Sequence, residues 1–196
     1  MRQVDSVYPK LNSPMNILLM LLKNKFMYYI IFHGDKVRYL RWLGVRIGEG
    51  CQIFNQFGGF GSEPWLVEIG NRVILANGVQ FITHDGASRL IRHNIPGSSI
   101  YGNSFGRILL HDECMIGMNA IIMPDVEIGP NSIVGVGSVV NKNVPPGMVY
   151  AGVPAKPICS LDEYITRYKE KMIEIKSNNR EELRRELTLF FWGEER

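Results

Sequence analysis

Of the 196 residues, His84 stands in the setting best suited to chemistry, F-I-T-H-D-G-A, with a threonine before it and Asp85 after it. An imidazole with an ordinary pKa of about 6.5 is largely neutral at physiological pH, so it can take a proton from an alcohol or an amine. General-base assistance of this kind is typically worth about 10²–10⁴-fold. The same histidine reads equally well as a turn residue hydrogen-bonded to a neighbour. Asp85 could orient the ring or touch a second reactant. It could equally cap a turn, and adjacent side chains of an extended chain point to opposite faces. Upstream, Asn55 and Glu63 (the latter in G-S-E-P-W) are further polar candidates for holding a second reactant, although Glu63 also suits a surface ion pair.

Other chemistries fit less well. Cys51, Cys114 and Cys159 are widely separated and form no C-x-x-C pair, which argues against a zinc site or a disulfide framework and for small buried thiols in a reducing, cytoplasmic setting. His33, His93 and His111 show no spacing that would bring three imidazoles onto one metal, as a carbonic anhydrase on a similar scaffold requires, and no metal is expected. The net charge of +3 is small and spread along the chain, without the basic stripe of a nucleic-acid-binding protein. The apolar stretch 17–31 is broken by Lys23, Asn24 and Lys25 and is too short for a span of about 20 residues. It reads as an amphipathic helix that packs on the body or grazes a membrane surface.

The elements that must position His84 follow from a repeat. Stepping by six from Leu110 gives Ile116, Ile122, Ile128, Val134 and Val140. Leu, Ile and Val make up 52 of 196 residues, so six such hits at a preset phase arise by chance about once in a few thousand trials. Four residues after each aliphatic stand Cys114, Ala120, Val126, Ser132, Ser138 and Val144, all small or medium. The phase recurs upstream at Ile69, Leu75 and Phe81, and weakly at Ile47 and Ile53. One hexad makes one short strand and a turn, three hexads close a triangular coil of about 18 residues, and stacked coils pair as parallel strands about 4.8 Å apart. The expected fold is therefore mainly β, a parallel β-helix over residues 45–158. A helical segment over 1–44 and a C-terminal helix over 159–196 would cover its ends. Twenty glycines and ten prolines agree with many turns. The phase slips between Phe54 and Val67, and an irregular excursion fills 85–107, directly after His84. Loops thrown out from a rigid scaffold are where binding groups usually sit.

The stretch 115–156, from M-I-G-M-N-A through V-P-P-G to A-G-V-P-A-K, closely resembles the hexapeptide-repeat acetyltransferases. The upstream F-G-S-E-P-W-L-V-E-I-G and F-I-T-H-D-G-A resemble the branch found in capsule and O-antigen polysaccharide synthesis. The resemblance covers about residues 45–158. It implies a left-handed β-helix, a homotrimer with active sites between adjacent subunits, acetyl-CoA in the groove between two β-helices, and no metal. It implies His84 as general base and an Asn, here Asn55, in the preceding coil holding the acceptor. On the donor side it implies a backbone N–H of Gly117 or Met118 at the thioester carbonyl and a backbone contact of Val136 to pantetheine. Asn141 and Lys142 match a Thr-Lys pair, and Lys156 a basic residue near the adenosine 3′-phosphate. Relatives often carry Trp where Met115 stands, which alters the acceptor pocket here. Arg89, Arg92 and Tyr101 in the excursion are expected to reach the acceptor.

The function this implies is O-acetyl transfer from acetyl-CoA to a sugar hydroxyl in surface polysaccharide synthesis. The alternatives are N-acetylation of an amino sugar nucleotide, since one imidazole base serves both, and a non-catalytic β-helix assembly subunit.

Overall fold

A computed structural model describes Leu22, residues 26–55 and 57–87, Leu90, and residues 104–193. The chain divides into two compact units, Met1–Leu161 and Asp162–Arg196.

In the first unit, three parallel sheets form the three faces of a prism. The first face holds β1 (Arg46–Ile47), β3 (Val67–Ile69), β8 (Ile108–Leu110) and β11 (Glu127–Ile128), extended by a bridge from Ile128 to Val144. The second holds β2 (Gln52–Ile53), β4 (Ile74–Leu75), β9 (Met115–Ile116), β12 (Ile133–Val134) and β14 (Met148–Ala151), with β15 (Lys156–Ser160) antiparallel on its edge. The third holds β5 (Gln80–Phe81), β10 (Ile121–Ile122) and β13 (Val139–Val140). The chain visits the faces in turn, the winding of a left-handed β-helix. Leu110 pairs with Ile128, Ile116 with Val134 and Ile122 with Val140, so one coil takes 18 residues.

The aliphatic column forms the core. Leu110, Ile116, Ile122, Ile128 and Val134 are fully buried and Val140 nearly so. Each such side chain withdrawn from water stabilises the fold by about 1.5–3 kcal/mol. The small residues Cys114, Ala120, Val126, Ser132, Ser138 and Val144 fill the corners, also buried. The corners carry a second period. Glu113, Asn119, Asp125, Asn131 and Gly137, three residues after successive aliphatics, all have φ between 55° and 66°. Outside glycine that conformation is costly, least so for Asn and Asp.

The two interruptions lengthen coils without disturbing this register. Ile47 pairs with Ile69 and Ile53 with Leu75, so the first slip adds four residues to a coil, taken up by 3₁₀ turns at Phe57–Phe60 and Pro64–Leu66. Ile69 pairs with Leu110, Leu75 with Ile116 and Phe81 with Ile122, so the excursion leaves and rejoins the prism in phase. Its feet are β6 (His84–Asp85) and β7 (Ser104–Phe105), an antiparallel pair that belongs to none of the three faces.

Helix α1 (Lys36–Trp42) precedes the first coil. Asp35 caps it by accepting from Arg38 N–H, and Leu40 joins the core. The Arg41 guanidinium donates to the carbonyls of Ile47 (2.7 Å) and Gly48 (3.0 Å) and pairs with Glu49. A π-helical turn at Met27–Ile31 is separated from α1 by residues 32–35, so the described part of the N-terminal segment is not one helix. The second unit is likewise two helices where the sequence suggests one. Helix α2 (Leu161–Lys169) and helix α3 (Arg180–Trp192) are separated by a non-helical stretch, with Asn179 capping α3 through Glu181 and Glu182 N–H and left-handed Gly193 closing it.

Candidate active site

His84 stands where β5 has ended and the chain leaves the prism, three residues after Phe81. Its Nδ1 lies 2.9 Å from Glu63 Oε2, and Thr83 Oγ1 donates to the same oxygen at 2.6 Å. Glu63 and Thr83 are buried, whereas the imidazole side chain is 30% exposed. A buried carboxylate accepting from Nδ1–H fixes the ring's orientation and tautomer and leaves Nε2 with the lone pair. On the other side the Phe105 ring lies 5.8 Å away, tilted by 56°, because Phe105 pairs with His84 across the β6–β7 ladder. The site thus consists of an imidazole, a carboxylate behind it and an aromatic wall beside it.

Glu63 arrives there because of the first slip: the extra residues before β3 carry the G-S-E-P-W segment to the foot of β6. The sequence puts Glu63 with the acceptor; in the structure its carboxylate meets His84 and Thr83. Asp85 Oδ1 caps a turn by accepting from Ala87 N–H at 2.8 Å, and as the next residue of β6 its side chain leaves the strand on the face opposite to that of His84. Asn55 is buried, with its amide donating to Val79 O at 2.8 Å. Arg89, Arg92 and Tyr101 lie outside the described residues. Thr83 and Phe105 were missed by the sequence reading, although Thr83 adjoins His84 in the very motif that drew attention to it. His111 is part-exposed and pairs with Glu127 through Nε2.

The donor-side candidates form a second group. Gly117 N–H donates to Val134 O at 2.8 Å, so it is committed to coil pairing. Met118 N–H makes no hydrogen bond among the described residues, while Met118 O accepts from Gly137 N–H at 2.8 Å. Gly117 has to be glycine: a Cβ there would lie 2.7 Å from Val136 N. Met118 and Val136 are exposed in neighbouring coils. Asn141 and Lys142 are exposed just after β13, and Lys156 is exposed where β15 meets Ala151. Met115, where a Trp is often found, is exposed at the start of β9. Within one chain Met118 does not meet His84. Met118 precedes β10 and His84 follows β5, and those strands are paired side by side, so the two sit at opposite edges of the third face.

Among the described residues no cluster of His, Cys, Asp and Glu has the makings of a metal site, and no helix is long and apolar enough to cross a membrane.

The bacterial transferase hexapeptide family (six repeats) matches residues 107–142. CapG of Staphylococcus aureus is 41% identical over 132 residues, covering 67% of this chain and 74% of CapG. Galactoside O-acetyltransferase of Escherichia coli is 31% identical over 136 residues, 69% of this chain and 64% of that enzyme. A tetrahydropyridine-dicarboxylate N-acetyltransferase of Clostridium perfringens is 51% identical, but over only 55 residues, 28% of this chain and 23% of that enzyme. Among solved structures, a hexapeptide-repeat acetyltransferase of Vibrio cholerae superposes with TM-score 0.51 at 22% identity, covering 65% of this chain and 80% of that one. A maltose O-acetyltransferase of Clostridium difficile superposes with TM-score 0.50 at 22% identity, covering 76% and 89%. The repeat, the triangular prism and the extent of these matches lead to one conclusion: the chain belongs to the hexapeptide-repeat acetyltransferase family and is an acyltransferase.

Proposed function

We propose that the protein transfers the acetyl group of acetyl-CoA to a saccharide hydroxyl in the synthesis of a surface polysaccharide, with His84 as general base. The observation that carries this reading is the 2.9 Å contact between His84 Nδ1 and the buried Glu63 carboxylate. It leaves Nε2 to take the hydroxyl proton as the oxygen attacks the thioester carbon. The carbon–sulfur bond then breaks, and the imidazolium returns its proton to the departing thiolate. Glu63 stabilises the imidazolium between the two transfers. Met118 N–H suits the thioester oxygen as it gains charge, Gly117 N–H being already used.

The separation of His84 from Met118 and Val136 across one face supports a homotrimer, in which the base of one subunit meets the donor groove of the next. Lys142 and Lys156 supply charge for the CoA phosphates, with Asn141 beside them. Asn55, Arg89 and Tyr101 remain acceptor-side candidates, and three free cysteines suit the cytoplasm. The 55-residue match to an N-acetyltransferase keeps an amine acceptor as the second reading.

The test is thiol release from acetyl-CoA across a panel of sugars and amino sugars, with His84→Ala beside the wild type. The expected outcome is a kcat lower by about 10²–10⁴-fold with the KM for acetyl-CoA kept. A His84→Ala enzyme with the wild-type rate sinks the general base, and turnover confined to amines sinks the hydroxyl.

A further inference from the structure

The three irregular segments of the first unit meet at one end of the first face. Residues 44–46 lead into β1, the slip delivers Pro64–Leu66, and the excursion returns through Phe105 to Arg107. Between them lies a cavity of about 190 Å³, lined by Arg46, Trp65, Leu66, Glu68 and Arg107 with further residues of β3 and β8. It has room for a group far larger than a water molecule of about 30 Å³.

Its chemistry is specific. Arg46 Nη1 is held by Glu68 Oε2 at 3.2 Å. Arg107 is exposed and makes no hydrogen bond or ion pair among the described residues, so one guanidinium at the cavity is uncommitted. Trp65 is 58% exposed, and its backbone sits against Gly44, where φ is +100° and a Cβ would lie 3.1 Å from Trp65 Cβ. The cavity walls grow from the segments that hold the base. Trp65 is two residues past Glu63, Arg107 is two residues past Phe105, and Gly106 N–H donates to Thr83 O at 2.9 Å.

We propose that this cavity binds an anionic substituent of the acceptor, a carboxylate or phosphate carried by a sugar, with Arg107 on the anion and Trp65 against the apolar face of the ring. The proposal rests on the saccharide reading above and narrows it to acidic sugars. A guanidinium pairs with a carboxylate or phosphate through two parallel N–H donors, which gives both affinity and orientation. An indole offers sugars a flat apolar face with low entropy cost on binding. Arg107 acts here as a binding residue and takes no part in the proton transfers.

The experiment uses the full chain with acetyl-CoA and three probes: methyl galactoside, galacturonic acid and galactose 1-phosphate. Two measurements run on each, thiol release and, with CoA present, quenching of tryptophan fluorescence. Trp65→Phe identifies the responding indole among the three tryptophans. The expected result is a KM about tenfold or more lower for an acidic probe than for the neutral one, an advantage that fades as salt is raised. The source of the anion is read from which acidic probe wins. Arg107→Gln should abolish the advantage while leaving the KM for acetyl-CoA unchanged, and Arg38→Gln, an exposed arginine on α1, should leave both unchanged. Equal KM values for neutral and acidic probes, or equal losses for both in Arg107→Gln, would overturn the proposal. If no saccharide supports thiol release, the saccharide reading fails, and the fluorescence arm decides for the cavity. Quenching by galacturonic acid or galactose 1-phosphate that Arg107→Gln removes upholds the anion site, and no quenching refutes it.

Discussion

The coils from Leu110 to Val140 and the coils from Ile53 to Arg107 share one scaffold and differ in what they do with it. In the first region every sixth residue is a buried aliphatic, every corner turns through a left-handed residue, and successive coils pair 18 residues apart. In the second the same columns persist at Ile69, Leu75 and Phe81, but two insertions break the winding and bring Glu63, His84 and Phe105 together. Regular repetition yields stability and exposes few groups suited to chemistry. Departures from the repeat place reactive groups on a frame that does not shift to accommodate them.

If this division holds, changes in the buried columns of the regular coils act on stability, and changes at the insertions act on rate. His84→Ala, with its loss of about 10²–10⁴ in kcat and a melting temperature close to wild type, is the largest expected effect. Next comes Ile122→Ala, which opens a cavity in a fully buried column and should cost about 2–5 kcal/mol in denaturant unfolding, with kcat of the folded fraction preserved. A rate loss without a stability loss at Ile122 would erase the distinction. Glu63→Gln keeps the shape and removes the charge behind the imidazole. It should lower kcat by about 10- to 1000-fold with the KM for acetyl-CoA within twofold, and wild-type turnover would reduce Glu63 to a packing residue.

Cys114 sharpens the comparison through pH. Burial pushes its thiol from 9.0 up to about 11. The folded value lies above the unfolded one, so the stabilisation is complete below pH 9 and is lost as pH rises from 9 towards 11. The loss is at most about 2–3 kcal/mol. Cys114→Ala, an occupant the column already accepts at Ala120, should flatten that slope in unfolding free energy measured from pH 8 to 11. The smallest effect is at a corner. Asn131→Ala, at φ 55°, should cost about 1 kcal/mol, and Asn131→Gly less, by thermal unfolding.

The prism was legible because burial enforces period six on side chains that chain chemistry leaves free to vary. Leu110 through Val140 announce it without any partner. The corner period was equally present in Glu113, Asn119, Asp125 and Asn131, but three different residue types conceal a shared backbone conformation. His84 stood out through its motif. Its partner did not, because Glu63 reaches it through a four-residue slip whose path no periodicity describes. Asp85, the neighbour in sequence, was the obvious candidate for orienting the ring, and its Oδ1 accepts from Ala87 N–H in a turn. The commitment of Gly117 N–H to Val134 likewise follows only from knowing which coil stacks on which.

A stack of parallel coils has no natural end, since each rim offers peptide groups to whatever strand arrives next. Arg41 answers this at the first coil by occupying the outward carbonyls of Ile47 and Gly48 with a charged, hydrated fork. A second molecule cannot lay its own rim there without stripping that charge of water and partners. The hydration and partners that this guanidinium would have to give up weigh against end-to-end growth of a fold that has no other natural limit to its stacking.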